Sequence, residues 1–281
     1  MILIADSGST KTHWKVLMPN GTEQDFFSQG LNPYHHGEKF AEVLDDAIGH
    51  KIDRGGVAQV FFYGAGCAYQ SMQDIVALNL RDIFYNASTV DVSSDLMGAA
   101  RSLFGNGQGL VAILGTGSNV GLYNGLDLVR HTPSLGYVLG DEGSGAHLGK
   151  EFIKRWMYKE FPESLCNSIA QHCSLSIDDI LGHVYTSDSP ARFLAGFSDI
   201  IVKLSSHESI VALVDDCLVQ LVERHLLKYS EVTSVSIGAV GSIAVIFEYQ
   251  LRDVLKRYGA NLERVMQFPI EGLATFHRAK L

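Results

Sequence analysis

The chain has 281 residues, 46% of them hydrophobic and 19% charged, which is enough to bury a sizeable core and too apolar for a disordered chain. A formal charge of −9 and an isoelectric point near 5.6 argue against the basic face that a nucleic-acid partner requires. Cys67, Cys166, Cys173 and Cys217 show no C-x-x-C spacing, so they predict buried thiols in a reducing compartment rather than a disulfide framework.

The sequence opens on MILIAD, with neither a basic n-region nor a long apolar h-region, and no apolar run reaches the ~18–20 residues of a membrane span. This predicts a soluble, cytoplasmic protein with no membrane partner. Residues 2–5 (ILIA) read as a short strand ending at Asp6, residues 12–18 as a second, and Asn20-Gly21 as a hairpin turn. Residues 38–48 form an amphipathic helical pattern with Phe40, Val43, Leu44, Ala47 and Ile48 on one face. The stretch 57–66 (VAQVFFYGAG) is a strand running into a glycine turn. A helix around 71–84, the strand TVDVSS and a helix after Asp95 follow.

The opening layout then returns: 109–125 (GLVAILGTGSNVGLYNG) is again a strand, a Gly/Ser/Thr turn, a strand and an Asn-Gly turn. Such an internal repeat predicts two lobes on one plan. Residues 143–228 read as mostly helical, with Ser176 and Asp179 as an N-cap pair and Pro190 at a helix start. A third strand-turn-helix unit spans 233–259, and a helix starts at Ile270. The whole is an α/β pattern.

Six segments carry candidate chemistry. The first, ADSGSTKT (5–12), joins two strands and so is not a Walker A loop. Its N–H groups and hydroxyls can cradle phosphate oxygens, and Asp6 can hold a hydrated Mg²⁺, although a plain hairpin fits the same residues. The second, LGTGSN (114–119), is equivalent to it. The third, IGAVGS (237–242), ends a strand and starts a helix, where glycines let a flat ligand approach the backbone. The fourth is Asp95, a carboxylate between strand and helix that can accept a hydroxyl proton; Ser94 or Asp95 can equally cap the helix. The fifth, LGDEGSGAHLG (139–149), offers Asp141 to sugar hydroxyls. Asn32, in GLNPY, is an amide ligand or an ordinary Asn-Pro turn.

The ordered set DSGSTKT, GTGSN, GDEGSG and GAVGS resembles the N-acetylglucosamine kinase branch of the BadF/BadG/BcrA/BcrD ATPase family, within the actin-like and sugar-kinase superfamily. The resemblance covers essentially the whole chain. It implies a two-lobed, actin-like (ribonuclease-H-like) α/β fold with a duplicated strand-turn-strand core. Residues 1–107 would form one lobe, with the helix 270–281 packing back on it, and 108–269 the other, the two closing over ATP and sugar. Gly8, Ser9, Thr10 and Lys11 would form the first phosphate loop, with Asp6 governing Mg²⁺. Gly115, Thr116, Gly117 and Ser118 would form the second, and Gly238, Gly241 and Ser242 would flank the adenosine. Asn32, Asp95 and Asp141 would contact the sugar, with Asp95 as the base. The expected reaction is ATP-dependent phosphorylation of an N-acetylhexosamine, to the 6-phosphate, and a homodimer is compatible with it. Two other readings share the fold: an ATPase activating an iron–sulfur dehydratase, for which Cys166 and Cys173 are the nearest cysteine pair, and a nucleotide- or sugar-binding sensor without turnover.

Overall fold

A computed structural model of the chain describes residues 1–8 and 10–279; Ser9, expected in the first phosphate loop, lies outside the described residues. The chain forms two compact units, one made of Met1–Gly107, Gly125–Asp127 and Phe268–Leu281, the other of Gln108–Asn124 and Leu128–Gln267.

The first unit is built on a five-stranded sheet of β1 (Ile2–Ser7), β2 (Lys11–Leu17), β3 (Glu23–Gln29), β4 (Gln59–Gly64) and β5 (Thr89–Ser94), in the order β3-β2-β1-β4-β5. The β1–β2 and β2–β3 pairs are antiparallel, whereas β1, β4 and β5 run parallel. The register sets Ser7, Gly64 and Ser94 level at one edge of the sheet. That edge is the carboxyl end of the parallel strands, where open α/β sheets bind ligands.

The run ILIA is apolar at successive positions because both faces of the sheet are covered. Leu3 and Ala5 face one core, shared with Phe40, Leu44, Val76 and Leu80. Ile2 and Ile4 face the other, shared with Tyr63, Ile270 and Leu273. On the first side lie α1 (Pro33–His36), α2 (Phe40–Ile48) and α3 (Gln70–Ile83); on the second, α4 (Asp95–Phe104) and a late helix described below. The helix read over 38–48 begins at Phe40, behind a 3-10 turn at Gly37–Lys39.

The second unit repeats the plan. Its strands β6 (Gly109–Leu114), β7 (Ser118–Tyr123), β8 (Leu128–His131), β9 (Ile237–Val240) and β10 (Leu262–Met266) are ordered β10-β9-β6-β7-β8. Here too the first three strands pair antiparallel and β6, β9 and β10 pair parallel. The expected duplication is therefore real at the level of sheet topology. Between β8 and β9 run α5 (Gly136–Leu139), α6 (Gly145–Met157), α7 (Glu163–Ala170), α8 (Ile177–Thr186), α9 (Pro190–Gly196), α10 (Ser198–Lys203) and α11 (Glu208–Arg224). Ser176 and Asp179 form a reciprocal capping box on α8, and Pro190 opens α9. The short α12 (Ser242–Ile246) and α13 (Glu248–Arg257) follow β9.

The last helix, α14 (Ile270–Arg278), belongs to the first unit. It crosses α4 so closely that a Cβ on Gly272 would stand 2.3 Å from the Ser102 hydroxyl. Lys15, only 2% exposed, also holds it. The ammonium lies 2.9 Å from Glu23, 3.1 Å from Asp25 and 2.8 Å from Glu271. A charge this buried is tolerable only when so paired. No helix among the described residues is long and apolar enough to cross a membrane.

Candidate functional site

In the first unit, Asp6 is the penultimate residue of β1 and Asp95 the first residue of α4, just past the end of β5. Burial pushes the Asp6 carboxyl up to about 7; the neighbouring Asp95 adds to the rise and Lys11 opposes it. Burial likewise raises Asp95, against hydrogen bonds from backbone N–H groups. Two carboxyls with raised proton affinity, one of them raised in part by the other's charge, are thus held at the carboxyl edge of the sheet.

Both Ser94 and Asp95 bond the first turn of α4. Ser94 caps α4, its hydroxyl accepting from Met97 N–H at 3.2 Å. Asp95 Oδ1 accepts from Leu96 N–H at 2.8 Å, and among the described residues no hydrogen bond engages Oδ2.

The first turn is closed by Gly8 N–H donating to the Lys11 carbonyl at 3.0 Å. Gly8 and Thr10 are exposed. The Lys11 ammonium sits 3.9 Å above the Phe27 ring, a cation–π contact within the unit. Ser7 and Thr12, which sequence reasoning did not select, anchor this turn. Their hydroxyls are 2.8 Å apart, Thr12 donates to the Gln29 carbonyl at 2.9 Å, and Ser7 accepts from Leu31 N–H at 3.1 Å. The chain is thereby bound to the segment that carries Asn32.

Asn32 is buried and caps α1, Oδ1 accepting from Tyr34 N–H at 3.0 Å. Its neighbour is Gly66, in the turn Gly64–Cys67 after β4. Cys67 in the same turn is buried and pushed up to about 12, by burial first and by Asp95 second. Asp6, Asp95 and Asn32 therefore gather at one end of the first sheet.

In the second unit, Gly115 N–H closes the turn onto the Gly117 carbonyl at 3.0 Å. The carbonyls of Gly115 and Thr116 accept from Gly145 and Ala146 N–H, at 2.8 and 3.0 Å. The start of α6 is thus fixed by the loop itself. Asp141, at φ 61°, accepts from Ser118 N–H at 3.4 Å, and a Cβ on Gly117 would meet its carboxylate at 2.9 Å. Burial raises the Asp141 carboxyl against the Ser118 N–H. The residue expected to meet the sugar therefore lies against the second loop. On β7, Ser118 Oγ and Asn119 Oδ1 are buried with no hydrogen-bond partner among the described residues. Such groups call for a ligand or water, and Asn119 is a candidate ligand residue that sequence reasoning passed over. The next residue, Glu142, accepts from or pairs with His225 at 2.9 Å, which holds its carboxyl low despite burial.

The third turn is less unified. Gly238 is buried inside β9, flanked in register by Val111 and Arg264. Gly241 and Ser242 lie beyond the strand at the start of α12. Gly241 has φ 123°, and a Cβ there would stand 2.2 Å from the Leu114 carbonyl. Its lack of a side chain is therefore required by the end of β6. Cys166 and Cys173 both pack against the helical core of the second unit, and among the described residues no three His, Cys, Asp or Glu side chains cluster as metal ligands.

Comparison with protein-family profiles and with curated proteins finds no match. Solved structures do match. A Porphyromonas gingivalis protein named "Putative N-acetylglucosamine Kinase" shares 36% identity over 99% of both chains, with a TM-score of 0.91. A Chromobacterium violaceum protein of the same name is 15% identical over 98% of both chains, with a TM-score of 0.72. A ROK family glucokinase from Streptomyces griseus, solved with glucose and AMPPNP, is 15% identical with a TM-score of 0.56 over 99% of this chain and 98% of its own. The last two likenesses establish the fold alone. With its two repeated sheets, the chain has the actin-like fold of the sugar kinases, and it belongs to the same family as the Porphyromonas gingivalis protein.

Proposed function

We propose that this protein is an ATP-dependent kinase that transfers the γ-phosphoryl group to the 6-hydroxyl of N-acetylglucosamine or a closely related N-acetylhexosamine. The observation that carries the reading is the placement of Asp6 and Asp95 at the same, carboxyl end of the parallel strands β1 and β5, where the Asp95 charge adds to the raised proton affinity of Asp6. The name of the 36% identical relative supports the substrate class, and the AMPPNP in a glucokinase of the same fold supports ATP. The motifs DSGSTKT, GTGSN, GDEGSG and GAVGS support membership of the BadF/BadG/BcrA/BcrD ATPase family.

Phosphoryl transfer asks for alignment and charge neutralisation more than for covalent help. Asp95 orients the acceptor hydroxyl through Oδ2 and takes its proton as the oxygen bonds to the γ-phosphorus and the bond to the ADP oxygen breaks. Burial raises the proton affinity of Asp95, which suits a base, a role worth roughly 10²–10⁴-fold. Asn32 and Asp141 contact the sugar. The turn of Gly8, Thr10 and Lys11 in the first unit and that of Gly115, Thr116, Gly117 and Ser118 in the second serve the phosphates, through hydroxyls, the Lys11 ammonium and the backbone N–H groups that do not already close the turns. Gly238, Gly241 and Ser242 flank the adenosine.

Magnesium binds through one or two carboxylates and the nucleotide phosphates. Asp6 fits that role: its carboxyl stands at the end of β1, and a bound cation would offset the burial and the Asp95 charge that raise it to about 7. When bound, the ion neutralises charge on the phosphates.

Product analysis by phosphorus NMR tests the assignment. The expected product from N-acetylglucosamine and ATP carries phosphate on the 6-oxygen. A phosphate elsewhere on the sugar, or ADP formed with no sugar phosphate, would refute it.

A further inference from the structure

The glycine turn after β4 is not used by the mechanism above, yet it borders the first-unit site. Ala65 N–H donates to the Ser7 carbonyl at 2.7 Å, one residue after Asp6. The charge of Asp95 adds to the rise that burial imposes on the Cys67 thiol. Between them, Gly66 lies against Asn32, and at φ 86° a Cβ on it would stand 2.3 Å from Asn32 Oδ1 and 2.9 Å from Cγ. The turn is itself fixed, by Cys67 N–H on the Gly64 carbonyl at 3.1 Å and by the Gln73 amide on the Cys67 carbonyl at 2.9 Å. A side chain at Gly66 would therefore displace the carboxamide rather than the turn.

The orientation of that carboxamide follows from its cap bond. Tyr34 N–H can only donate, so the atom 3.0 Å from it is the Asn32 oxygen. Among the described residues no hydrogen bond engages Asn32 Nδ2. The group left to a ligand is thus an N–H donor, which selects an acceptor oxygen on the sugar.

We infer that Gly66 is a positioning residue that sets sugar affinity by allowing the Asn32 amide to stand in its donating position. The inference rests on the kinase reading and adds to it a determinant outside the ligand contacts. Gly66→Ala is expected to raise the sugar KM about tenfold or more and leave the ATP KM within about twofold, since a lost hydrogen-bond donor acts on the group it faces. A kcat that falls in step with kcat/KM while the sugar KM holds would overturn it.

A left-handed alanine also carries backbone strain, so a second background separates strain from contact. Asn32→Ser keeps a cap on α1, because Ser caps about as well as Asn, and removes the carboxamide that the Cβ would strike. Gly66→Ala is expected to lower Tm clearly in the native background and by at most half as much in Asn32→Ser. The double variant is also expected to show the sugar KM of Asn32→Ser alone. Equal Tm losses in both backgrounds, a double variant that fails to fold, or additive KM effects would overturn the inference. A native protein that releases no ADP with any sugar would refute the kinase reading. An active native protein with an unchanged sugar KM in Gly66→Ala would refute this inference alone.

Discussion

The Ser7 and Thr12 hydroxyls lie 2.8 Å apart across the first hairpin, and their protons run in one direction. Thr12 gives its single proton to the Gln29 carbonyl, so Ser7 must donate to Thr12 while accepting from Leu31 N–H. This relay joins the end of β1, which holds Asp6, to the segment that holds Asn32. Ser7→Ala leaves the buried Leu31 N–H without its acceptor, a loss of about 1–3 kcal/mol. Urea denaturation should show a lowered midpoint with an unchanged slope. An unshifted midpoint would mean that the relay does not hold the two segments.

Asp95→Asn separates chemistry from architecture. Ser94, not Asp95, caps α4, and burial disfavours the Asp95 charge, so Tm should hold or rise slightly. The amide cannot take the hydroxyl proton, and turnover should fall by roughly 10²–10⁴-fold with sugar binding retained. Steady-state kinetics beside calorimetric sugar titration read both effects. A variant that keeps most of its turnover would remove Asp95 from the role of base.

Gly241→Ala places a Cβ 2.2 Å from the Leu114 carbonyl at φ 123°. Strain and overpacking together should cost roughly 3 kcal/mol. Thermal unfolding should show a fall in Tm of many degrees, since the clash falls on backbone at the end of β6. A Tm within a degree of the native value would show that the β9 turn adapts freely.

Much of this fold was legible in the sequence, for identifiable reasons. The two hairpins announce themselves because β1 and β6 are buried on both faces and read as unbroken apolar runs, and each is followed by a Gly/Ser/Thr turn. The capping box at Ser176 and Asp179 and the helix from Ile270 follow local rules. β3 was hidden because only Phe26 of its seven residues is buried. β8 is a short, mostly exposed edge strand, and β10 carries a register shift that blurs its alternation. The candidate loops could be found from glycine and hydroxyl density. Ser7, Gly66 and Asn119 could not, because each acts through a neighbour far away in sequence or a buried unpaired atom, and no local pattern encodes either.

His147 makes stability depend on pH. It is 4% exposed, Nδ1 accepts from Gly143 N–H at 3.3 Å, and burial pushes it down to about 4. The unfolded chain binds the proton near 6.5, so stability is complete above that pH and declines as pH falls from 6.5 to 4. The loss attributable to this group is on the order of 3 kcal/mol. Urea midpoints from pH 7.5 to 4.5 should fall less steeply in His147→Gln than in the native protein. Parallel curves would show that the imidazole is not held neutral.

The central claim is recognition of an N-acetylated sugar by an ATP-dependent kinase, and coupled ADP release over a sugar panel measures it most directly. With Mg²⁺ and ATP, kcat/KM for N-acetylglucosamine or a close N-acetylated relative should exceed that for glucose by about a hundredfold or more. That difference is about 2.8 kcal/mol of transition-state binding, a lower bound for a site whose buried polar groups would bond the acetamido group. Equal or greater activity with glucose, or with an acceptor that is not a sugar, would contradict the account.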